Sequence, residues 1–223
     1  MNICVLIPTF NEGEAIAGLI KKVSAQNLEV IVVDDGSKDN TSEIARRNNA
    51  TVLQNQSNQG KGASLIKGFA FVLNKGFDAV ITMDGDGQHA PEDLPNFISA
   101  AQHSDGGIFI GNRMAKTKTM PPVRYFTNKF MSWLISKVAK QNIPDTQCGF
   151  RLIRKEVLEK LNLKTSKYET ESEILIEASR SGFKIESVPI KTLYLNEKSH
   201  INPFVDTLRF LKFISKELWT TRN

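Results

Sequence analysis

Apolar residues along the first half of the chain follow two different patterns. Short, nearly unbroken runs rich in β-branched residues predict strands that are buried on both faces: Asn2–Ile7, Glu29–Val33, Ala50–Gln54, Ala79–Met83 and Gly107–Ile110. Segments with apolar residues at helical spacing, and with Ser, Asp or Pro near their starts, alternate with these runs: Glu14–Ser24, Asp39–Asn48, Lys61–Leu73 and Glu92–Ala101. Because crossovers between parallel strands are right-handed, this series predicts a Rossmann-like α/β layer, a mainly parallel sheet flanked by helices.

The second half begins with a long amphipathic helix, predicted over Val123–Lys140 after two prolines. Its apolar residues fall on one face: Val123, Phe126, Phe130, Trp133, Leu134 and Val138. The remaining elements are predicted as a strand, a helix, a strand and a last helix: Phe150–Ile153, Glu169–Arg180, Lys184–Pro189 and about 203–220. Without a Gly- or Ser-rich linker, we expect one domain over residues 1–200, with halves 1–111 and 112–200, and an amphipathic C-terminal helix over 201–223.

Polar clusters directly follow three of the predicted strands. Pro8–Glu12 comes after the first strand, Asp34–Ser37 after the second and Asp84–Gln88 after the fourth. In open parallel sheets, ligands bind beyond the carboxyl ends of the strands. The three loops are therefore expected to converge on one crevice.

The cluster Asp84-Gly85-Asp86 suits a hard divalent cation such as Mg²⁺ or Mn²⁺, which prefers oxygen ligands and can bridge the phosphates of a nucleotide. An EF-hand is excluded, because the sixth position of that loop would be His89 instead of Gly and the twelfth Pro95 instead of Glu.

The pair Asp34-Asp35 is open to two interpretations. Asp39 or Ser37 could cap the following helix, whereas one of the two adjacent acids could accept a hydrogen bond from a base or ribose.

Two common nucleotide-binding motifs are missing. Asn58–Ser64 lacks the first glycine of a phosphate loop, since position 55 is Asn, and no GxGxxG sequence follows the first strand. An ATPase and a nicotinamide-dependent dehydrogenase are therefore rejected. The glycines of this segment predict instead the start of a helix that packs closely on the sheet.

Composition indicates a globular protein, with 223 residues of which 40% are hydrophobic and 24% charged. The sequence contains no uncharged apolar stretch near the roughly 20 residues that span a bilayer, and no leader pattern at its start. Two cysteines, Cys4 and Cys148, are too few for a disulfide framework, and Cys4 is expected to be buried in a strand. These features predict a cytoplasmic protein.

Charge divides the chain into two halves of opposite sign. Residues 1–111 carry a net charge of −5 and residues 112–223 a net charge of +10. The basic half makes anionic partners plausible, such as phosphates or a membrane surface. Nucleic acid is not expected as a partner, because the sequence shows no zinc-ligand pairs, RNA-binding aromatic signature or recognition-helix pattern.

Five segments together resemble the inverting nucleotide-sugar glycosyltransferases of the GT-A fold, in order and spacing, over residues 3–113. They are Ile7–Glu12, Val33–Thr41, Asn58–Gly62, Met83–Gln88 and Gly111–Arg113. Within that family, three later features resemble the polyprenyl-phosphate branch, typified by dolichyl-phosphate mannose and glucose synthases: Asp145–Arg151, Glu171 and Lys198–Pro203.

This resemblance implies a role for each matching residue. The nucleotide-sugar donor would be bound by Pro8, Phe10, Glu12, Val33, Asp35, Asp84, Gly85, Asp86, Gln88 and Arg113. Asp86 and Gln88 would hold Mg²⁺ or Mn²⁺, and Arg124 would join Arg113 in facing phosphate oxygens. The catalytic set implied is Asp86, Asp145, Glu171 and Arg124.

The implied reaction is a single displacement that moves a hexose from a donor of the GDP-mannose or UDP-glucose type to a polyprenyl phosphate. That acceptor is already an anion and needs no general base. Two alternatives remain open. A saccharide hydroxyl as acceptor would require a base, with Asp145 or Glu171 as candidates. A non-catalytic nucleotide-sugar-binding partner subunit would bind donor without transfer.

A lipid acceptor requires contact with a membrane. The last helix carries an apolar side and three basic residues, and with Val123–Lys140 it would form a basic, aromatic patch that docks peripherally on the anionic inner face of the membrane. The other interpretation is that the apolar side of the last helix packs on the domain.

Overall fold

The computed structural model describes residues 1–114, 120, 122–191, 209–210 and 212–217, without the side chain of Arg124. Seven strands form one mixed sheet in the order β3-β2-β1-β4-β6-β5-β7. They span Ile3–Thr9 (β1), Glu29–Asp34 (β2), Thr51–Gln54 (β3), Ala79–Thr82 (β4), Ile108–Asn112 (β5), Arg151–Arg154 (β6) and Ile185–Pro189 (β7). All predicted strands are present, with ends shifted by one or two residues.

The centre of the sheet is apolar on both faces. Every residue of β1 is buried, as are all four residues of β4. This explains why these strands read as unbroken apolar runs, since neither face meets water. Cys4 lies inside β1 as expected, where burial raises the pKa of its thiol to about 12.

Strand β6 runs against its neighbours. It pairs antiparallel with β4 on one side and with β5 on the other, whereas every other pair in the sheet is parallel. A strand from the second half of the sequence therefore lies between two strands of the first half. The two halves share one sheet, and the loop that precedes β6 lies beside the carboxyl end of β4.

Helices cover both faces of this sheet. They span Ile16–Ser24 (α1), Thr41–Arg47 (α2), Lys61–Lys75 (α3), Leu94–His103 (α4), Pro122–Ala139 (α5), Lys155–Leu158 (α6) and Thr170–Arg180 (α7), with a 3₁₀ turn at Pro91–Asp93. In α1, Ile16, Leu19, Ile20 and Val23 are buried at the spacing of an amphipathic helix. The short α6 and the 3₁₀ turn were not predicted.

Helix α5 divides its apolar residues between two sides. Val123, Phe126, Phe130 and Trp133 are exposed by 80%, 68%, 54% and 51%. Leu134 is only half-buried, and Val138 is buried together with Ile135 and Ala139. The predicted apolar face is therefore largely exposed, and among its six residues only Val138 is buried. The core receives Ile135, Val138 and Ala139 from the C-terminal end of the helix, with Met131 and Leu134 packed against it.

Residues 209–210 and 212–217 are helical, within the predicted last helix. Phe210, Phe213 and Ile214 are buried in the core. For these residues the structure supports the second interpretation of the last helix, because their side chains pack on the domain. The rest of the predicted helix lies outside the described residues. Among the described helices, none is long and apolar enough to cross a bilayer.

Candidate active site

The loops after β1 and β4 touch at Gly85. A methyl group added at this residue would lie 2.8 Å from Cγ2 of Thr9 and 3.3 Å from Cγ of Glu12. The loop after β2 joins the same edge, because the backbone N–H of Asp35 donates to the carbonyl of Thr9 at 2.8 Å. The convergence expected from the sequence is therefore present in the structure.

The two adjacent acids after β2 both serve the local backbone. Asp34 accepts hydrogen bonds from Ser37 and Ser42 and so closes its own turn. Asp35 accepts from the side chain of Asn55 at 2.8 Å, and from the backbone N–H groups of Gln59 and Gly60 at 2.9 and 2.7 Å. Asp35, predicted to contact the nucleotide, thus fixes the Gly-rich segment that leads into α3.

The start of α2 is held by Asp39. Its carboxylate accepts from the backbone N–H of Thr41 at 3.0 Å, and its other oxygen accepts from the N–H of Gly13 at 3.1 Å. These hydrogen bonds hold the pKa of Asp39 below its ordinary value, against the opposing effect of burial. Asp39 therefore supports the start of α2 from the residue before its N-cap, Asn40, and it also ties α2 to the loop after β1.

Lys61 lies between two carboxylates. Its Nζ is 2.6 Å from Oδ1 of Asp84 and 3.0 Å from Oε2 of Glu171. Burial opposes ionisation of Lys61, but attraction to Asp84 and Glu171 outweighs it and raises the pKa of the lysine. The ammonium of Lys61, with smaller contributions from its neighbours, correspondingly lowers the pKa of Asp84 well below its usual range despite burial. Lys61 and Asp84 are therefore both charged at neutral pH.

Two fixed groups support this cluster. The backbone N–H of Asp84 donates to Nδ1 of His89 at 3.1 Å, and the ring of His89 stacks on Phe150 with 5.1 Å between centroids. Nη1 of Arg151 donates to the carbonyl of Glu171 at 2.5 Å. Burial lowers the pKa of His89 to about 4, even though Asp84 opposes the shift, so the ring is neutral.

Gly149 makes the close approach of the two acids possible. A methyl group there would stand 2.9 and 3.0 Å from the carboxylate oxygens of Asp84 and 3.0 Å from Oε1 of Glu171. Gly149 comes from the loop before β6, so the antiparallel position of that strand brings this residue to the carboxyl end of β4.

Arg113 and Asp145 form a separate buried pair. Nε of Arg113 is 2.8 Å from Oδ2 of Asp145, and Nη2 is 2.9 Å from Oδ1. The backbone N–H of Arg113 adds a third bond to the same carboxylate at 3.1 Å. Asp145 is fully buried and Arg113 is 8% exposed. The structure therefore directs Arg113, predicted to face phosphate oxygens, toward Asp145.

The remaining predicted residues lie at different depths. Pro8 is buried, and Phe10 and Glu12 are half-buried at the loop after β1. Val33 is fully buried in the core, so its side chain lies beneath the crevice and not on its surface. Arg124 belongs to α5, but its side chain lies outside the described part of the chain.

Asp86 and Gln88 offer hard oxygen donors for a cation. Both are half-buried, and the backbone N–H of Gln88 donates to Oδ1 of Asp86 at 3.0 Å. Over the described residues, no group of three or more His, Cys, Asp or Glu is arranged to hold a metal. One carboxylate and one amide oxygen fit an ion such as Mg²⁺, which keeps water or substrate phosphates in its other positions.

Sequence reasoning missed Lys61 and Arg151. Lys61 belongs to the segment considered and rejected as a phosphate loop, and its polar position at a helix start close to the acidic loop was the available signal. The expectation of a helix that starts at these glycines and packs on the sheet is confirmed, because α3 begins at Lys61 and contacts β1 and β2. Gly62 approaches Thr170, whereas Gly68, further along α3, is the glycine that packs on Leu6 of the sheet.

A cleft of about 310 Å³ lies away from these loops, between α7 and residues 209–210 and 212–217. It is lined by charges of both signs, and Arg180 pairs there with Glu177 at 3.0 Å and Glu217 at 2.5 Å. Glu173 accepts from the backbone N–H groups of Lys164 and Thr165, both at 2.9 Å. The Arg180–Glu217 pair anchors the C-terminal segment to α7, Glu173 holds the loop before α7, and the strand-end crevice remains the candidate active site.

A GT-A glycosyltransferase is the class of protein that this sheet and its loops define. The family model for glycosyl transferase family 2 matches residues 4–162. The chain belongs to that family, as the sequence resemblance predicted.

Two relatives with assigned activities illustrate the family. The chain is 31% identical over 215 residues to the UDP-N-acetylglucosamine–dolichyl-phosphate N-acetylglucosaminyltransferase of Methanococcus voltae, covering 86% of each protein. It is 30% identical over 200 residues to the polyprenol monophosphomannose synthase of Mycolicibacterium smegmatis, covering 83% of this chain and 75% of that enzyme.

The fold has a counterpart among solved structures. Glucosyl-3-phosphoglycerate synthase from Mycobacterium tuberculosis, in complex with uridine diphosphate, superimposes with a TM-score of 0.78. The match covers 97% of this chain and 79% of that one at 19% identity. The same synthase has been crystallised with Mn²⁺ and with Mg²⁺. At this level of identity the likeness concerns the fold.

Proposed function

We propose that this glycosyltransferase moves a hexose from a nucleotide sugar, of the GDP-mannose or UDP-glucose type, to a polyprenyl phosphate at the surface of an anionic membrane. Relatives that are about 30% identical over most of the chain carry names with a dolichyl or polyprenyl phosphate acceptor. The proposal also rests on the state of the two candidate bases in the site.

Both candidate bases are ion-paired. Asp145 is fully buried and gives both oxygens to Arg113, and Glu171 is bound to Lys61 at 3.0 Å. A general base needs a carboxylate oxygen within hydrogen-bond reach of the substrate, and here both oxygens of Asp145 and one oxygen of Glu171 are already bonded to a cation. A hydroxyl acceptor needs such a base, whereas a phosphate acceptor is already ionised. This pairing is the observation that carries the choice of acceptor.

The chain's own residues would then bind and orient the two substrates. Asp35 and Asp84 lie at the carboxyl ends of β2 and β4, where the nucleotide would bind. Asp86 and Gln88 would hold Mg²⁺ or Mn²⁺, which as a Lewis acid stabilises the charge on a departing diphosphate. Positioning and charge stabilisation are sufficient for an anionic nucleophile at the anomeric carbon.

The acceptor and the donor can be tested separately. A thermal-shift panel of GDP, UDP and their sugars, with and without Mn²⁺, identifies the donor, because a ligand of the folded state raises its apparent stability. Transfer is then measured to a polyprenyl phosphate and, as a matched control, to the polyprenol of the same length. We expect product only with the phosphate. Transfer to a hydroxyl acceptor alone would overturn the proposal, and donor binding without transfer to any acceptor would favour a non-catalytic partner subunit.

Helix α5 provides the proposed membrane-docking surface. Its exposed apolar residues are accompanied by Lys129, whose Nζ lies 5.7 Å from the ring centroid of Tyr125, and by Lys137, 4.8 Å from that of Trp133. Aromatic residues with nearby lysines are typical of helices that bind in the interface of anionic bilayers. The opposite side of α5 holds the loop of Asp145, because Ser132 accepts a hydrogen bond from the backbone N–H of Thr146 at 2.9 Å.

Vesicle sedimentation tests this surface. Full burial of one exposed Phe or Trp is worth roughly 1.5–3 kcal/mol, and each lysine near an anionic surface adds about 1 kcal/mol. We therefore expect the double variant Phe130→Glu, Trp133→Glu to lose binding to anionic vesicles at low salt. Ile66→Glu, at an exposed apolar position on α3, is the matched control and should bind like the wild type. Equal binding by all three proteins would exclude α5 as the docking surface.

A further inference from the structure

Lys61 connects the two halves of the chain at the candidate site. It is the first residue of α3, and its ammonium contacts Asp84 at the end of β4 and Glu171, 110 residues further along the chain, in the first turn of α7. The three side chains are only 19%, 29% and 17% exposed, so the charges interact with little screening by water.

The backbones of both acids are held in place. The N–H of Asp84 is bound to His89, and the carbonyl of Glu171 to Arg151, which is 1% exposed. The two carboxylates meet above Gly149. Without a cation between them they would repel each other, and because their backbones are fixed, only their side chains could rotate apart.

The loop around Lys61 is also fixed from both sides. Asp35 binds the N–H groups of Gln59 and Gly60, and the N–H of Ala63 donates to the carbonyl of Ser166 at 2.9 Å. The backbone from which the Lys61 side chain extends is therefore fixed by the fold.

We propose that Lys61 is a positioning residue, which holds the carboxylate of Asp84 in its donor-binding orientation by neutralising the repulsion from Glu171. Lys61 acts on the donor through Asp84. Glu171 is its charge partner in this arrangement. The inference deepens the proposed function and rests on its donor site, but it does not depend on the identity of the acceptor.

Charge compensation distinguishes this role from direct contact with the donor. In Lys61→Met, Asp84 and Glu171 repel each other, and we expect the dissociation constant of the donor to rise on the order of 10- to 100-fold. Adding Glu171→Gln removes the repulsion, so the double variant should recover most of that loss. Lys61→Arg should lie close to the wild type, and Lys75→Met, at an exposed lysine of the same helix, is the control that should bind normally.

Donor binding is measured by calorimetry, with KM and kcat for transfer in parallel and thermal melting to verify folding. A rise in the KM of the donor that the double variant reverses supports the proposal. Failure of the double variant to recover would overturn it and assign Lys61 to direct contact with the donor. Normal binding by Lys61→Met would also overturn it. If the wild type binds donor but does not glycosylate polyprenyl phosphate, the proposed acceptor is wrong while the result on Lys61 stands.

Discussion

A methyl group at Gly149 would intrude between the two carboxylates of the candidate site. It would stand 2.9 and 3.0 Å from the oxygens of Asp84 and 3.0 Å from Oε1 of Glu171, closer than the roughly 3.5 Å of an ordinary contact. These oxygen atoms are at the ends of flexible side chains, and both carboxylates can move away from the methyl group by about 0.5 Å. We therefore expect Gly149→Ala to cost only about 1 kcal/mol of folding free energy.

The effect on activity should be larger than the effect on stability. A displacement of 1 Å in a reacting group costs up to about 100-fold in rate, so half of that displacement predicts about a tenfold loss of kcat/KM. Tenfold corresponds to about 1.4 kcal/mol of transition-state stabilisation. The loss should appear mainly in the KM of the donor, because Asp84 is the displaced donor-binding group.

Gly18→Ala provides the matched control. Gly18 lies in α1, and a methyl group added there would have no atom within 4 Å, so alanine should stabilise the helix by about 0.5–1 kcal/mol and leave transfer unchanged. Thermal melting and transfer kinetics are measured on both variants. Wild-type kcat/KM in Gly149→Ala would refute the reasoning, as would a loss of activity fully explained by unfolding.

Three further variants test other contacts. Asp145→Asn leaves the buried guanidinium of Arg113 without its charge partner. The free energy of unfolding, measured in urea, should therefore fall by about 3–5 kcal/mol. If unfolding is unchanged and transfer is abolished, Asp145 instead has a chemical role. His89 has its pKa lowered to about 4 in the folded protein, so below pH 6.5 the unfolded chain takes up the proton first. With a chelator present to remove metal ions, the free energy of unfolding of the wild type should fall between pH 6.5 and pH 4 by up to roughly 3 kcal/mol more than that of His89→Phe. The same pH dependence in both proteins would contradict this. Gly62→Ala would place a methyl 2.0 Å from Oγ1 of Thr170 and within 2.7 Å of backbone atoms, so its melting temperature should fall more than that of Gly149→Ala; an equal or smaller fall would disprove this order.

The sequence predicted the elements well because their signals are local. Unbroken apolar runs marked β1 and β4, and periodic apolar residues marked α1. The antiparallel place of β6 could not be predicted, since strand pairing depends on contacts between residues about 70 positions apart, such as Ile81 and Leu152. Periodicity likewise identified the apolar face of α5 but not which of its residues the domain covers, so the burial of Val138 could not be predicted.

The sequence predicted which loops form the candidate site better than it predicted the contacts between their side chains. Asp35 and Asp84 fall at the strand ends where they were expected. The pairing of Arg113 with Asp145 and of Lys61 with Glu171 joins residues 32 and 110 positions apart, and no local pattern encodes either pair. Lys61 itself was not predicted, because its segment lacks the first glycine of a phosphate loop and was rejected as a phosphate-binding site.

The insertion of β6 also bears on how this protein can be divided. A fragment ending after β5 would contain β4 and β5 but not the strand that pairs with both. Each would then expose an unpaired edge, a template for intermolecular association. The donor-binding half is therefore expected to aggregate when expressed alone, and to regain solubility when a peptide that includes Arg151–Arg154 and its flanking helices is supplied in trans.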